Sequence, residues 1–188
     1  EKYDGSEKTV TGYTVKIRNP LYTEDCFTFS GDATVTGTDA GSYPMELKPA
    51  DFTNTNTNFT NVEFVIADGT LEISKRSVTL TSATDTKVYD GTALTNANVA
   101  VGGDGFATGE GASYDVTGTQ TEVGSSANAF TYTLNDGTKA DNYTITTTAG
   151  TLTVTELTEK VTVTITENSG SEKYDGSEKT VTGYTVKI

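Results

Sequence analysis

Three Tyr-Asp-Gly triplets are the most regularly placed chemistry-bearing residues in this sequence of 188 residues. Each combines a phenol, a carboxylate and a flexible backbone, so it could bind a ligand or form a tight turn. The triplet occurs once in each repeat, at the same place. This regular placement favours a tight turn over a ligand site. We expect a buried Tyr ring, an Asp that accepts hydrogen bonds from nearby amides and a Gly with positive φ. The residues are Tyr3, Asp4, Gly5, Tyr89, Asp90, Gly91, Tyr174, Asp175 and Gly176.

Other residues that carry chemistry are scarce. The chain has no His, which excludes Ser-His-Asp and Cys-His nucleophile systems and His-ligated metals. The one cysteine, Cys26, has no disulfide partner, and the charge of Asp25 opposes a thiolate, so we expect a small buried residue. Acidic loops at residues 102–111 and 135–142 lack EF-hand spacing and should be solvated. We predict no enzyme activity, no catalytic residue, no cofactor and no metal site.

Charge and hydropathy limit the partners. The chain has 26 acidic and 13 basic residues, a net charge of −13, which disfavours nucleic acid and anionic membranes. Its longest apolar runs, such as residues 64–67, fall far short of the ~20 residues that a membrane helix needs. We therefore predict no nucleic-acid partner and no membrane insertion in this segment.

The sequence is repetitive on two scales. Residues 172–188 repeat residues 1–17 letter for letter, so the chain holds one period of 171 residues and the start of another. The parent protein is therefore expected to contain at least part of another copy. Within the period, ordered markers recur at matching places, namely Val-Thr-Gly-Thr at 35–38 and 116–119, Gly-Thr-Leu at 69–71 and 150–152, and the asparagines Asn61 and Asn142.

These markers divide the chain into modules. Residues 1–75 form module A, residues 76–155 form module B, and residues 156–188 are a linker followed by the start of the next module A. We expect short linkers near residues 74–77 and 156–160.

Alternation of apolar and polar residues predicts strands through both modules. The markers in module A are Val10, Tyr13, Val15, Ile17, Phe27, Phe29, Val35, Met45, Leu47, Val62, Phe64, Ile66, Leu71 and Ile73. Those in module B are Val78, Leu80, Val99, Val101, Val116, Phe130, Tyr132, Leu134, Tyr143, Ile145, Leu152 and Val154. We also expect a turn with positive φ at Gly69, a helical turn at Lys48–Phe52 that begins at Pro49, and a loop over residues 53–61. The prediction is an all-β fold of two tandem elongated modules.

Module A lacks one predicted strand. An alternating strand precedes the second triplet at residues 77–81 and the third at residues 161–166, where its apolar residues are Val161, Val163 and Ile165. Residues 1–75 contain no counterpart, and a sheet edge left open in this way is a template for pairing. We predict that Val161, Val163 and Ile165 complete module A of the next molecule or period, in a head-to-tail contact that propagates as a filament.

The ordered motifs resemble a known family. The stretch from KVYDGTALTNANVAVGG to GTLTV in module B resembles the YDG and MBG repeat modules, which occur in tandem in very large surface proteins, largely of bacteria. The stretches DATVTGTDAGSYPMELKPADFTN and NVEFVIADGTLEIS of module A resemble a sister version. The resemblance covers nearly the whole chain. It implies a secreted or cell-surface, adhesin-like, non-enzymatic repeat with β-rich, β-grasp-like modules, and it brings no catalytic residues.

The sequence is compatible with two functions. The repeats can form a stalk or fibre that carries other domains, with neighbouring repeats as partners. Alternatively, they can bind a host glycan or protein and gain strength by multivalency. A Lys–Asn isopeptide crosslink is not expected, because Lys87 of module B aligns with Glu172 in the module A frame.

Overall fold

The computed structural model describes residues Glu1–Ile188 and confirms the all-β prediction. Its three helical segments are single 3-10 turns at Glu24–Cys26, Pro49–Asp51 and Ala140–Asn142, the second of which begins at Pro49 as predicted. None of the helical segments has the length and apolar character needed to cross a membrane. The strands are β1 Lys8–Thr11, β2 Phe27–Phe29, β3 Thr34–Gly37, β4 Gly41–Pro44, β5 Phe52–Asn54, β6 Thr70–Ile73, β7 Arg76–Ser82, β8 Asp85–Val88, β9 Val99–Gly103, β10 Ala112–Val116, β11 Gly124–Asn128, β12 Phe130–Leu134, β13 Tyr143–Thr148, β14 Gly150–Thr155, β15 Thr164–Glu167 and β16 Tyr184–Lys187.

Strand β7 is the centre of module B. It pairs in parallel with β13 on one edge and antiparallel with β9 on the other. Its inward residues Val78 and Leu80 are fully buried. A second three-stranded sheet places β14 between β8, which runs parallel to it, and β11, which runs antiparallel. A third sheet pairs β10 with β12, from which Tyr114 and Phe130 pack against the core around β7.

Module A repeats part of this plan in the same register. Strand β4 pairs with β6 so that Gly41 faces Ile73, as Gly124 faces Val154 between β11 and β14. Lys2 bridges Ser74 in parallel, at the place where β8 meets the end of β14. The sequence repeat is therefore also a repeat of strand pairing.

Two predicted strand regions of module A are not strands. The markers at residues 13–17 and 62–66 predict paired strands, but neither segment belongs to a ladder. Their counterparts in module B are β9 and β13, which both pair with β7. Residues 1–75 contain no equivalent of β7. The two segments therefore have the alternating pattern of a strand but no neighbouring strand with which to form hydrogen bonds.

Smaller corrections concern the loops of module A. Strand β4 ends at Pro44, before the predicted markers Met45 and Leu47. Gly69 does not adopt positive φ; Glu46 does so instead, at 60°, and its amide donates to Asp68 Oδ1 at 2.8 Å. The region expected to be a loop from residue 53 onwards begins with the end of β5, which pairs with β2.

The expected linker at residues 74–77 is a tightly held joint. The Ser74 amide donates to the Glu1 carbonyl, and the Tyr3 amide donates to the Ser74 carbonyl, both at 2.9 Å. Arg76 donates to the carbonyls of Gly105, Asp104 and Tyr3 at 2.9, 2.5 and 3.3 Å. One apolar cluster spans the joint; its members are Tyr3, Leu71, Ile73, Val78, Leu80, Ala107 and Tyr143. The division of the chain at residue 75 stays a prediction, with a shared core across it.

The C-terminal tail stands apart from this core. Strands β15 and β16 form an antiparallel pair in which every residue is exposed. Ile165 is 62% exposed, whereas Leu80, at the same distance before its Tyr-Asp-Gly triplet, is fully buried.

The first testable prediction uses this matched pair. Replacing the fully buried Leu80 by Ala should lower the free energy of unfolding by roughly 2–5 kcal/mol, because it removes packed atoms and leaves a cavity. The control Ile165→Ala should change it by less than about 0.5 kcal/mol. Urea unfolding followed by circular dichroism measures both values, and equal effects would contradict the burial of β7 relative to β15.

Candidate functional site

The three Tyr-Asp-Gly triplets form the same turn. Their glycines have φ of 85°, 78° and 82° in chain order. Each Asp accepts a hydrogen bond from the amide two residues later, at 2.9, 2.9 and 3.0 Å. Each Asp also pairs with a lysine, and these lysines are Lys8, Lys87 and Lys179. The lysine hydrogen bonds hold the pKa of all three carboxyls well below the usual range, that of Asp175 at about 2.

The tyrosines of the triplets differ in burial. Tyr3 is 4% exposed, Tyr89 is half-buried against Leu94, Leu152 and Val154, and Tyr174 is 96% exposed. The expectation of a buried ring is therefore wrong for Tyr174. The local turn does not bury the ring; Tyr3 is covered because the following module packs against it.

A second prediction isolates the backbone role of the turn. Gly91 and Gly69 both have open space where a Cβ would stand, and only Gly91 has positive φ, at 78°. Gly91→Ala should therefore cost roughly 1 kcal/mol from left-handed strain, whereas Gly69→Ala should be neutral or slightly stabilising. Thermal melts of the two variants measure this, and a Gly69→Ala chain that melts lower than the Gly91→Ala chain would contradict it.

A carboxylate joins the two modules. Glu110 accepts hydrogen bonds from the hydroxyls of Tyr3 and Tyr143, the latter at 2.7 Å, and the two rings meet edge to face at 5.7 Å. Burial, together with the bond to Glu110, raises the pKa of both tyrosines to about 12. The loop at residues 102–111, expected to be solvated, instead packs on the joint, where Ala107 is 5% exposed.

The third prediction concerns alkaline pH. The folded pKa of Tyr3 and Tyr143 lies above the ordinary value of 10, so the folded state binds these protons more tightly than the unfolded chain. The stabilisation is complete below pH 10 and is lost as pH rises to about 12. The melting temperature should fall by about 3 °C or more between pH 9.5 and 11.5. Tyr3→Phe should reduce this fall, and Tyr174→Phe, altered at an exposed ring, should leave it unchanged.

In module B, β7 lies between β9 and β13. Module A has an open groove at the corresponding place. Its walls are residues 13–19 and 61–67, and it encloses about 400 Å³. The floor is aromatic: the Phe52 ring lies 5.2 Å from Tyr13 of one wall and 5.6 Å from Phe64 of the other. Both walls therefore rest on one buried side chain, and we call this feature the open groove.

The walls of the open groove have unused backbone groups. No backbone–backbone hydrogen bond involves residues 13–18 or 61–67. Val62, Phe64 and Ile66 are half-buried, and the residues between them are exposed, which is the alternation of a strand. In module B the corresponding backbone N–H and C=O groups form hydrogen bonds with a neighbouring strand. The open groove therefore has the features of a site for an added β-strand.

The predicted inter-repeat strand lies outside the open groove in this chain. Val161, Val163 and Ile165 are 70%, 51% and 62% exposed. Ile165 belongs to β15 and faces Val186 of β16. The apolar residues that could fill a strand site are thus displayed to solvent at the other end of the chain.

Cys26 is buried, as predicted, but its electrostatics differ from expectation. The Thr23 amide and the Asn56 side-chain amide donate to its sulfur at 3.4 and 3.1 Å. These hydrogen bonds lower the pKa of the thiol and outweigh the opposing charge of Asp25. No group of three or more His, Cys, Asp or Glu side chains is arranged to hold a metal ion.

Sequence reasoning missed the residues of the joint. Arg76 and Glu110 carry no local signal, because their partners lie in another module or a distant loop.

Comparison with family models, curated proteins and solved structures finds no match for this chain.

Proposed function

We propose that this chain is a non-catalytic structural repeat unit in the stalk or fibre of a secreted or cell-surface, adhesin-like bacterial protein, as its resemblance to YDG and MBG repeats suggests. Successive repeats are joined head to tail by strand completion. The observation that carries the proposal is the pairing of β15 with β16, which joins residues 164–167 to the start of the following repeat in the register that β7 and β9 use in module B.

The joint between the modules supports a spacer role. A stalk must hold each module in a fixed position relative to the next, which needs a fixed contact rather than a flexible linker. Lys2 pairs with Asp104 and Lys139 with Asp39, both at 2.7 Å, and Asn142 binds Asp39 and the Ala40 amide. These contacts flank the shared apolar cluster and hold the two modules in one orientation.

The second candidate is a multivalent module that binds a host glycan or protein. The aromatic floor of the open groove favours it, because rings can stack on a sugar. The groove rings pack on one another, however, with Tyr22 and Phe59 edge to face at 5.1 Å. In module B, β7 occupies the corresponding position. A strand therefore suits the open groove better than a sugar.

The fourth prediction tests head-to-tail association in the full chain. Wild-type protein should form concentration-dependent oligomers in sedimentation experiments at about 0.15 M salt, where charge repulsion between copies is screened beyond roughly 8 Å. Val163→Asp with Ile165→Asp should weaken association at least tenfold, because a strand site would have to bury two carboxylates.

The matched control adds the same charge to the other face of the same strand, as Thr162→Asp with Thr164→Asp. It should associate within about threefold of wild type. A wild-type chain that stays monomeric at millimolar concentration would contradict strand completion between separate chains. A glycan that raises its melting temperature would favour the second candidate.

A further inference from the structure

We infer, on the basis of the proposed stalk or fibre function, that the two end segments of module B form a mechanical clamp that resists tension along the chain. The clamp consists of residues 76–88, which hold β7 and β8, and residues 143–155, which hold β13 and β14. A stalk that holds a bound object is pulled along its length, so each module must stay folded while its two ends are drawn apart.

The two segments of the clamp run side by side as one ladder. Thr81 of β7 faces Thr148 of β13. Asp85 of β8 faces Leu152 of β14. The partner thus lies 67 positions later in both pairings, and both pairings are parallel. The clamp is therefore a single parallel ladder that bends once, between β7 and β8 on one side and between β13 and β14 on the other.

Side-chain hydroxyls hold the ladder together at its bend. The Gly150 amide donates to the Ser82 hydroxyl at 2.9 Å. The Thr151 amide donates to the Thr84 hydroxyl at 3.1 Å. These hydroxyls act where backbone carbonyls would accept in a regular parallel ladder. A Cβ at position 150 would lie 2.3 Å from the Ala83 carbonyl oxygen, so glycine is needed for the two segments to come this close.

Apolar side chains of the clamp shield its hydrogen bonds from water. The four side chains that do so are all buried, and they are Val78, Leu80, Leu152 and Val154. A hydrogen bond in such surroundings is electrostatically stronger than one in water. Water also has little access to the backbone groups as their bonds begin to break. The ladder is therefore built from bonds that are costly to open.

The chain enters and leaves the clamp at opposite ends of the ladder. It enters at Arg76, the first residue of β7, and leaves at Thr155, the last residue of β14. Because the strands are parallel, tension pulls the two segments past each other along their axes. The hydrogen bonds of the ladder are then strained together, in shear. Residues 89–142 lie between the two segments, so they bear tension only after the clamp has opened.

Pulling the same fold in two directions tests the clamp. Force spectroscopy on the full chain uses two cysteine attachment points in a Cys26→Ser background, so that force acts within module B. Lys75→Cys with Glu156→Cys loads the ladder in shear. Ala93→Cys with Glu156→Cys pulls from the end where β8 and β14 finish together, and it unzips the same ladder one bond at a time. All three attachment positions are exposed.

At one pulling speed, the unfolding force should be at least about twofold higher in shear than in unzipping. Forced unfolding follows the barrier to unfolding, and this barrier is higher when the bonds of the ladder must break together. Equal forces, or a higher force in unzipping, overturn the clamp. Both pulls act within one module, so this result is independent of the sedimentation test of the proposed function.

Two variants of nearly equal shape test the bend. Thr84→Val removes the hydroxyl that accepts from the Thr151 amide, and Thr86→Val removes a hydroxyl that has no hydrogen bond within the chain. Under constant shear force, Thr84→Val should unfold roughly threefold faster or more, because one bond of the ladder is lost. Thr86→Val should stay within about twofold of the parent chain. Equal rates for the two variants overturn the role of the bend.

Discussion

A strand buried in a sheet needs hydrogen-bonded neighbours along both edges. The presence or absence of one such strand decides whether the two neighbouring segments of each module are joined in a sheet. In module B, β7 supplies an edge to β9 and another to β13, and it buries Val78 and Leu80 completely. Module A holds the counterparts of both neighbours without that strand. The same alternating pattern therefore produces a closed core in one module and an open groove in the other.

The joint between the modules depends on polar groups that find partners across it. Arg76 donates to three carbonyls, and Glu110 accepts from two phenols, beside the apolar cluster that both modules share. A satisfied polar network specifies one arrangement, because any other leaves half-buried groups without partners. The joint thus fixes the orientation of the two modules, whereas apolar contact alone would allow them to slide against each other.

The two joints of the period differ in length. Val78 lies seven positions after Leu71, whereas Val163 lies eleven positions after Leu152, the corresponding pair at the end of module B. The four additional residues fall in the segment before β15, where every side chain is exposed. The period therefore combines one short joint with one longer connection.

The sequence by itself determined the repeat, the central strand of module B and the turns of the Tyr-Asp-Gly triplets. Alternation at Val78 and Leu80 predicts β7, Pro49 predicts the start of a helical turn, and the Gly of each triplet predicts a positive φ, since all are local properties of a few residues. Only the tertiary structure decided which strands pair and which rings are buried. Residues 13–17 read as a strand and are not one, and Tyr3 is buried where the identical Tyr174 is exposed. A ladder and a buried ring both require a second segment far away in sequence, and no local pattern reports whether that segment is present.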